Sequence, residues 1–190
     1  MTIQTEAVSP AELLEDVLRR RRSVRAFTGE PLDDECLLRL AWAAQGVSDR
    51  EGRRTAPSAG AMYPLEVYAV TETALSRYDP PTNSLVPLAT EDRRPALQAA
   101  VGQDVIGAAP LTIVLAGVIS RMAPRFQGSK ADRFLCLEVG HAAQNVLLEA
   151  VALDLAGLTV GSFDAVAVQR ALDLPPDQEP IELLAVGRPA

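Results

Sequence analysis

With 190 residues, 48% of them hydrophobic, the chain can bury one sizeable core and is short for two, so a single domain over residues 1–190 is expected. A formal net charge of -7 excludes a general affinity for nucleic acid or anionic membrane, since both would repel the protein at long range, and any anion site must be local. The first ten residues lack a basic start followed by an apolar core, and no apolar run approaches the ~20 residues that span a bilayer, so a soluble cytoplasmic protein is expected.

The first helix is announced by Ser9 as cap, Pro10 in the first turn and Glu12 completing a capping box, with Leu13, Leu14, Val17 and Leu18 as one apolar stripe. It should end near Arg22. Asp33 caps a second helix carrying Leu37, Leu40, Ala41 and Ala44, with Trp42 on or beside that face and Gly46 as a left-handed stop. Residues 47–64 read as a long loop feeding a strand at 65–70, and long loops in compact domains tend to be functional. The turn-forming run at 79–84 predicts a surface hairpin.

A short helix over 94–101 precedes the apolar run 111–116, which has the length and branching of a buried strand at the centre of a sheet. Residues 119–131 read as a mobile segment and 132–156 as one long helix, apolar on nearly every face and therefore buried. Such a helix would span about 37 Å, beyond the ~30 Å of a small domain, so a second subunit is expected to cover the excess. A strand at 158–160, a short helix after Asp164 and a strand at 181–186 complete an α+β pattern.

Cys36 and Cys136 have no paired ligand spacing and read as buried thiols. The single histidine, His141, cannot build a multi-histidine metal site and reads as a hydrogen-bonded core residue, so no metal is expected. There is no Gly-x-Ser-x-Gly elbow for a covalent nucleophile and no Gly-x-Gly-x-x-Gly after a strand for a dinucleotide domain. Five of the seventeen arginines fall between Arg19 and Arg25. Cations at a helix C-terminus gain roughly 0.3–1 kcal/mol from the macrodipole and need no ligand. Equally, guanidinium forks and the Ser23 hydroxyl suit a phosphate.

The heptapeptide Arg21-Arg22-Ser23-Val24-Arg25-Ala26-Phe27 resembles the N-terminal signature of the FMN-dependent nitroreductase superfamily. The stretch from Thr55 through Pro57-Ser58-Ala59-Gly60 to Tyr68 resembles the branch of that family that includes the azoline-oxidising dehydrogenases. Glu138-Val139-Gly140-His141-Ala142-Ala143-Gln144-Asn145-Val146 resembles that branch's long central helix. Val160-Gly161-Ser162-Phe163-Asp164 and the close around Arg188 are further matches, and all fall in family order from about residue 15 to 189.

The resemblance implies a mainly antiparallel sheet flanked by helices, with the long helix at a homodimer interface and FMN bound between subunits. It implies that Arg21, Arg22, Ser23 and Arg25 hold the phosphate, the ribityl chain and one flavin edge. Pro57, Ser58, Ala59 and Gly60 would approach from the other subunit, and Gly161 and Ser162 would line the ring. Gln103 would donate to the pyrimidine edge. Many members continue past the last strand into a basic segment that finishes the phosphate site, and Arg188 is expected to substitute for it. The implied activity passes hydride from NAD(P)H through FMN to a small conjugated acceptor, nitroaromatic or quinone-like, with the chemistry carried by the cofactor and no catalytic side chain required. Two alternatives stand beside it: a substrate dehydrogenase or oxidase of the azoline-oxidising type, and a non-catalytic binding subunit. The Lys-Tyr pair of the azoline enzymes is absent, residues 124–130 reading Pro-Arg-Phe-Gln-Gly-Ser-Lys, and with it the evident base for peptide azole formation.

Overall fold

A computed structural model describes residues 9–190. In chain order these form α1 (Pro10–Arg20), α2 (Asp34–Gln45), a 3₁₀ turn (Ala59–Ala61), β1 (Leu65–Val70), β2 (Leu75–Asp79), β3 (Ser84–Ala89), α3 (Arg94–Val101) and α4 (Asp104–Ala108). There follow β4 (Leu111–Gly117), a second 3₁₀ turn (Ile119–Arg121), α5 (Ser129–Ala152), β5 (Ala156–Val160), α6 (Ala165–Ala171) and β6 (Glu179–Gly187). The strands make one sheet in the order β3-β2-β1-β4-β6-β5, and every pairing is antiparallel. This is the α+β architecture expected.

Side-chain alternation along each strand feeds two cores. On one face, Leu65, Val67, Ala69, Ile113, Leu115 and Leu184 pack against α2 and α5. On the other, Tyr68, Val70, Val114, Ala116, Leu183 and Ala185 join Leu97, Ile106 and Val168 of α3, α4 and α6. All seven residues of β4 are buried because helices cover both faces there, which is why its sequence is a continuous apolar run rather than an alternation. Its place between β1 and β6 is the central one that the run predicted.

α1 carries the full capping box, Ser9 Oγ accepting from the Glu12 N–H at 3.3 Å while Glu12 accepts from the Ser9 N–H at 2.8 Å. It ends at Arg20, two residues before the expected end, and none of its residues is buried; Leu13 and Leu14 are both more than half exposed. Its apolar stripe therefore faces outward in the single chain. Gly46 also departs from expectation. Its φ of -65° and ψ of 147° are extended, not left-handed. The position is glycine because a Cβ would stand 2.1 Å from the Trp42 ring.

α5 begins three residues earlier than expected and stops at Ala152, where Leu153 and a left-handed Asp154 (φ 56°) turn the chain into β5. The segment read as mobile, 119–131, contains a 3₁₀ turn, the wholly buried Met122 and the first turn of α5. α5 is buried along one stripe, through Leu135, Val139, Ala142 and Val146. Cys136, Leu137, Gly140, His141 and Gln144 are exposed on its other side. Two expectations fail there: His141 is not a core residue and Cys136 is not a buried thiol, because 3.6-residue periodicity turns both away from the stripe that the sheet covers. Cys36 is half-buried, and burial pushes its thiol pKa up.

Candidate functional site

The chain leaves α1 at Arg21 and runs beside β5. Ser23 pairs with Gly157 in a parallel bridge, and the Val24 N–H donates to the Gly157 carbonyl at 3.2 Å. Thr28 N–H then donates to the Arg188 carbonyl at 3.0 Å, and Ala190 N–H to that of Ala26 at 3.1 Å. Residues 21–28, β5 and the end of β6 are thereby tied together, which brings Arg21, Arg22, Ser23, Arg25 and Arg188 into one region.

The arginine cluster divides into two sets. Arg19 pairs with Glu15 at 3.1 Å, and Arg20 bridges Asp16 at 3.1 Å and Asp154 at 2.6 Å. These are helix-end cations satisfied by carboxylates. Among the described residues, Arg21 and Arg25 have no side-chain hydrogen bond or ion pair, and Arg22 donates only to the Arg21 carbonyl at 2.7 Å. Arg188 stands 3.4 Å from Glu30. Among the described residues, three guanidinium groups thus remain without a carboxylate, although the chain carries seven more acidic than basic side chains.

Gly161 and Ser162 follow β5 directly and are exposed. Gly161 lies four residue steps beyond Gly157, about 13 Å of extended strand. A Cβ on Gly161 would meet no other atom within 4 Å, so nothing in this chain's own packing fills that space.

Pro57, Ser58, Ala59 and Gly60 lie elsewhere. β1, which their loop feeds, is three strand spacings from β5, about 14 Å across the sheet. Their loop packs on the α5 side: Asn145 Nδ2 donates to the Thr55 carbonyl at 3.2 Å and Arg125 to the Gly60 carbonyl at 3.3 Å. Gly60 has φ 65°, a left-handed conformation, and a Cβ there would press to 2.7 Å on Arg125. Gln103 precedes α4 on the opposite face of the sheet, and its side chain makes no hydrogen bond among the described residues. A single chain therefore gathers the arginine–β5 group and leaves the Pro57–Gly60 loop and Gln103 apart from it.

A second polar cluster was not foreseen. Glu138 of α5, 1% exposed, accepts from Gln45 Nε2 at 3.2 Å. Gln45, wholly buried, in turn accepts from Arg54 Nη1 at 2.9 Å. The Arg54 guanidinium lies over the Tyr63 ring, 4.5 Å from its centroid. Burial raises the Glu138 carboxyl above the ordinary glutamate value, against the lowering influence of Ser58, Gln45 and Arg54. Burial likewise lowers Arg54, against the opposing charge of Glu138. One signal was available in sequence: Glu138 sits at helical spacing with Leu135 and Ala142 on the apolar stripe, where a carboxylate needs partners. Gln45 and Arg54 gave none.

The pH dependence follows from the sign of the Glu138 shift. The folded chain holds that proton more tightly than the unfolded chain does, so the stability it contributes is complete below the ordinary glutamate value and is lost as pH rises through the raised folded value. Glu138→Gln carries no such charge. Thermal unfolding followed from about pH 4 to about pH 8 should show the variant gaining on the native protein as pH rises; parallel curves would refute this account of Glu138.

The fold is shared with known proteins. A protein of Methanocaldococcus jannaschii, whose nitroreductase name is itself provisional, is 38% identical over 182 residues, 92% of this chain and 90% of that one. A crystal structure from Ralstonia eutropha, described in the same provisional terms, superposes with a TM-score of 0.86 at 30% identity, covering 100% of this chain and 87% of that chain. The NADPH:FMN oxidoreductase of Vibrio harveyi, solved with NAD+, shares the fold at a TM-score of 0.68 and 22% identity, over 93% of this chain and 69% of its own. The nitroreductase family profile matches residues 18–188, nearly all of the described chain. The chain belongs to the nitroreductase family of oxidoreductases.

Proposed function

We propose that the protein is an FMN-dependent oxidoreductase that takes hydride from NAD(P)H and delivers it to a small conjugated acceptor, working as a homodimer. The observation that carries this reading is the set of guanidinium groups of Arg21, Arg22 and Arg25, unpaired with any carboxylate among the described residues and lying beside a strand that ends, about 13 Å on, at the open Gly161. That arrangement fits an elongated cofactor with a phosphate at one end and a flat ring at the other. Bound FMN supplies the hydride acceptor and donor.

The chain's own residues do the rest. Arg21, Arg22, Arg25 and Arg188 neutralise the phosphate with charge-assisted hydrogen bonds, and Ser23 offers a hydroxyl. Gly161 and Ser162 let backbone approach the ring closely, which a larger side chain would prevent. Pro57, Ser58, Ala59 and Gly60 would complete the cleft from the second subunit. Gln103 is the remaining candidate donor to the ring edge. Support for dimerisation comes from the exposed Leu13, Leu14 and Leu18 of α1 and Leu137 of α5, each about half accessible in the single chain. Support for the nucleotide comes from the name of the Vibrio harveyi neighbour.

The test is the visible spectrum of the purified protein, with released flavin identified after denaturation, followed by anaerobic titration with NADH and NADPH. Stoichiometric FMN bleached by either nucleotide is the expected result. FMN that stays oxidised under both would redirect the reading to a substrate dehydrogenase. Protein that stays colourless after incubation with excess FMN would overturn the flavoenzyme reading.

A further inference from the structure

Beneath the loop that follows Gly60 lies a cavity of about 400 Å³, bounded by Arg54, Tyr63, the first residues of β1 and the β2–β3 hairpin. It belongs to neither the arginine–β5 group nor Gly161. Its walls carry three guanidinium groups, Arg54, Arg77 and Arg121.

Glu66 is the carboxylate that meets them directly. Arg121 donates to its Oε1 and also to the Tyr63 carbonyl at 3.3 Å, while Arg77 Nη1 stands 3.9 Å from its Oε2. Arg77 Nε is buried with no hydrogen-bond partner. Arg54 is bonded through Nη1 to the neutral Gln45 and makes no ion pair among the described residues. Asp79 is the second carboxylate of the lining, and it accepts from the Thr82 hydroxyl. Three cations stand against two carboxylates in the cavity's own lining, and Glu138, behind Gln45, acts on Arg54 from outside it.

A partly buried guanidinium paired only with an amide, as Arg54 is, is costly unless a ligand completes it. Planar guanidinium forks converging on one cavity match the oxygens of a carboxylate or a phosphate. We infer that this cavity is a second binding site, for the oxyanion of a small molecule, a carboxylate or a phosphate, held by Arg54, Arg77 and Arg121. It does not depend on where flavin binds. Because Arg121 also holds the Tyr63 carbonyl, an anion here would be tied to the same loop that carries Pro57–Gly60.

Calorimetric titration of the flavin-loaded protein with inorganic phosphate, malonate and adenosine 2′,5′-bisphosphate tests the site and identifies the source of the oxyanion. Three proteins are compared: native, Arg54→Gln/Arg77→Gln and Arg19→Gln/Arg20→Gln, the last pair being exposed, ion-paired and outside both sites. Phosphate binding weakened at least tenfold in the first pair and kept in the second is the expected result. If malonate follows phosphate while the bisphosphate does not bind, the ligand is a small free acid; if the bisphosphate binds and is lost with Arg54 and Arg77, it is a nucleotide arm. Either supports the site. An equal phosphate affinity in native protein and Arg54→Gln/Arg77→Gln overturns it. Should that variant fail to fold, the Arg77 Nε–H resonance of native, nitrogen-15-labelled protein decides: it must shift on adding phosphate, and a resonance unmoved at high phosphate rejects the proposal. FMN binding is measured in parallel. Its absence would sink the flavoenzyme reading and leave the anion result, then taken on flavin-free protein as the difference between native and Arg54→Gln/Arg77→Gln, standing by itself.

Discussion

Replacing Arg21 and Arg25 together by glutamine is expected to weaken FMN binding by about 10²–10⁴-fold and to leave riboflavin binding within about twofold. Hydrogen bonds to a charged group contribute about 1.5–3 kcal/mol each, and each 1.4 kcal/mol is tenfold in affinity, so two lost phosphate contacts give this range. Riboflavin lacks the phosphate and should not register the loss. The comparison pair is Arg19→Gln/Arg20→Gln. Those side chains are exposed and already ion-paired with Glu15, Asp16 and Asp154, and surface pairs of this kind contribute about 0–1 kcal/mol to stability and nothing to a ligand they do not reach. Titration of each variant with FMN and with riboflavin, followed by flavin fluorescence, separates the cases. Equal losses for the two flavins, or equal losses for the two arginine pairs, would remove the phosphate assignment.

Leu184→Ala is expected to cost about 3–4 kcal/mol of stability, the range of large-to-small changes in closed cores. Leu184 is wholly buried in β6, opposite Ile113 of β4 on one side and Thr159 of β5 on the other, and it faces the core under α2 and α5. Strands on both sides limit how far the backbone can relax into the cavity. For a chain of this size each kcal/mol shifts Tm by about 2–4 °C, so a fall of roughly 10 °C should appear in thermal denaturation. Leu88→Ala on the outer strand β3, where the side chain is 53% exposed, should move Tm by no more than about 2 °C. A small change at Leu184 would mean that the β4–β6–β5 region repacks, and the sheet centre would then be a poor frame for the site beside β5.

The strand at 181–186 that carries Leu184 was legible in the sequence, and the continuous apolar run of β4 marked it as buried. The caps at Ser9, Asp33 and Asp164 were equally legible, since a capping bond joins residues two or three apart and its chemistry is written in adjacent letters. The hairpin between β2 and β3 followed from its turn residues for the same reason. The motif segments 21–27 and 160–164 were both recognised, and the tertiary structure shows that β5 joins them.

Gly46 shows where such reading stops. Glycine after a helix signals a left-handed cap when only the chain direction is known, but here the ring of Trp42 occupies the space of a Cβ and the backbone stays extended. His141 and Cys136 were misread because an almost wholly apolar helix does not say which of its sides meets the sheet. That choice was made by α2 and β6, both distant in sequence.

By itself, then, the sequence determined most of the secondary elements, α4 excepted, the buried run of β4, the family, and the positions of its motif arginines. Each of these is encoded within a few residues, by periodicity, caps or turn chemistry. Only the tertiary structure decided which arginines are satisfied and which remain available. Arg20 meets Asp154, Glu138 meets Gln45, and Arg54, Arg77 and Arg121 converge on one cavity, bringing together residues from 23 to 134 positions apart. Ion pairing and burial depend on distance in space, and the chain's order fixes that distance only once the sheet has formed.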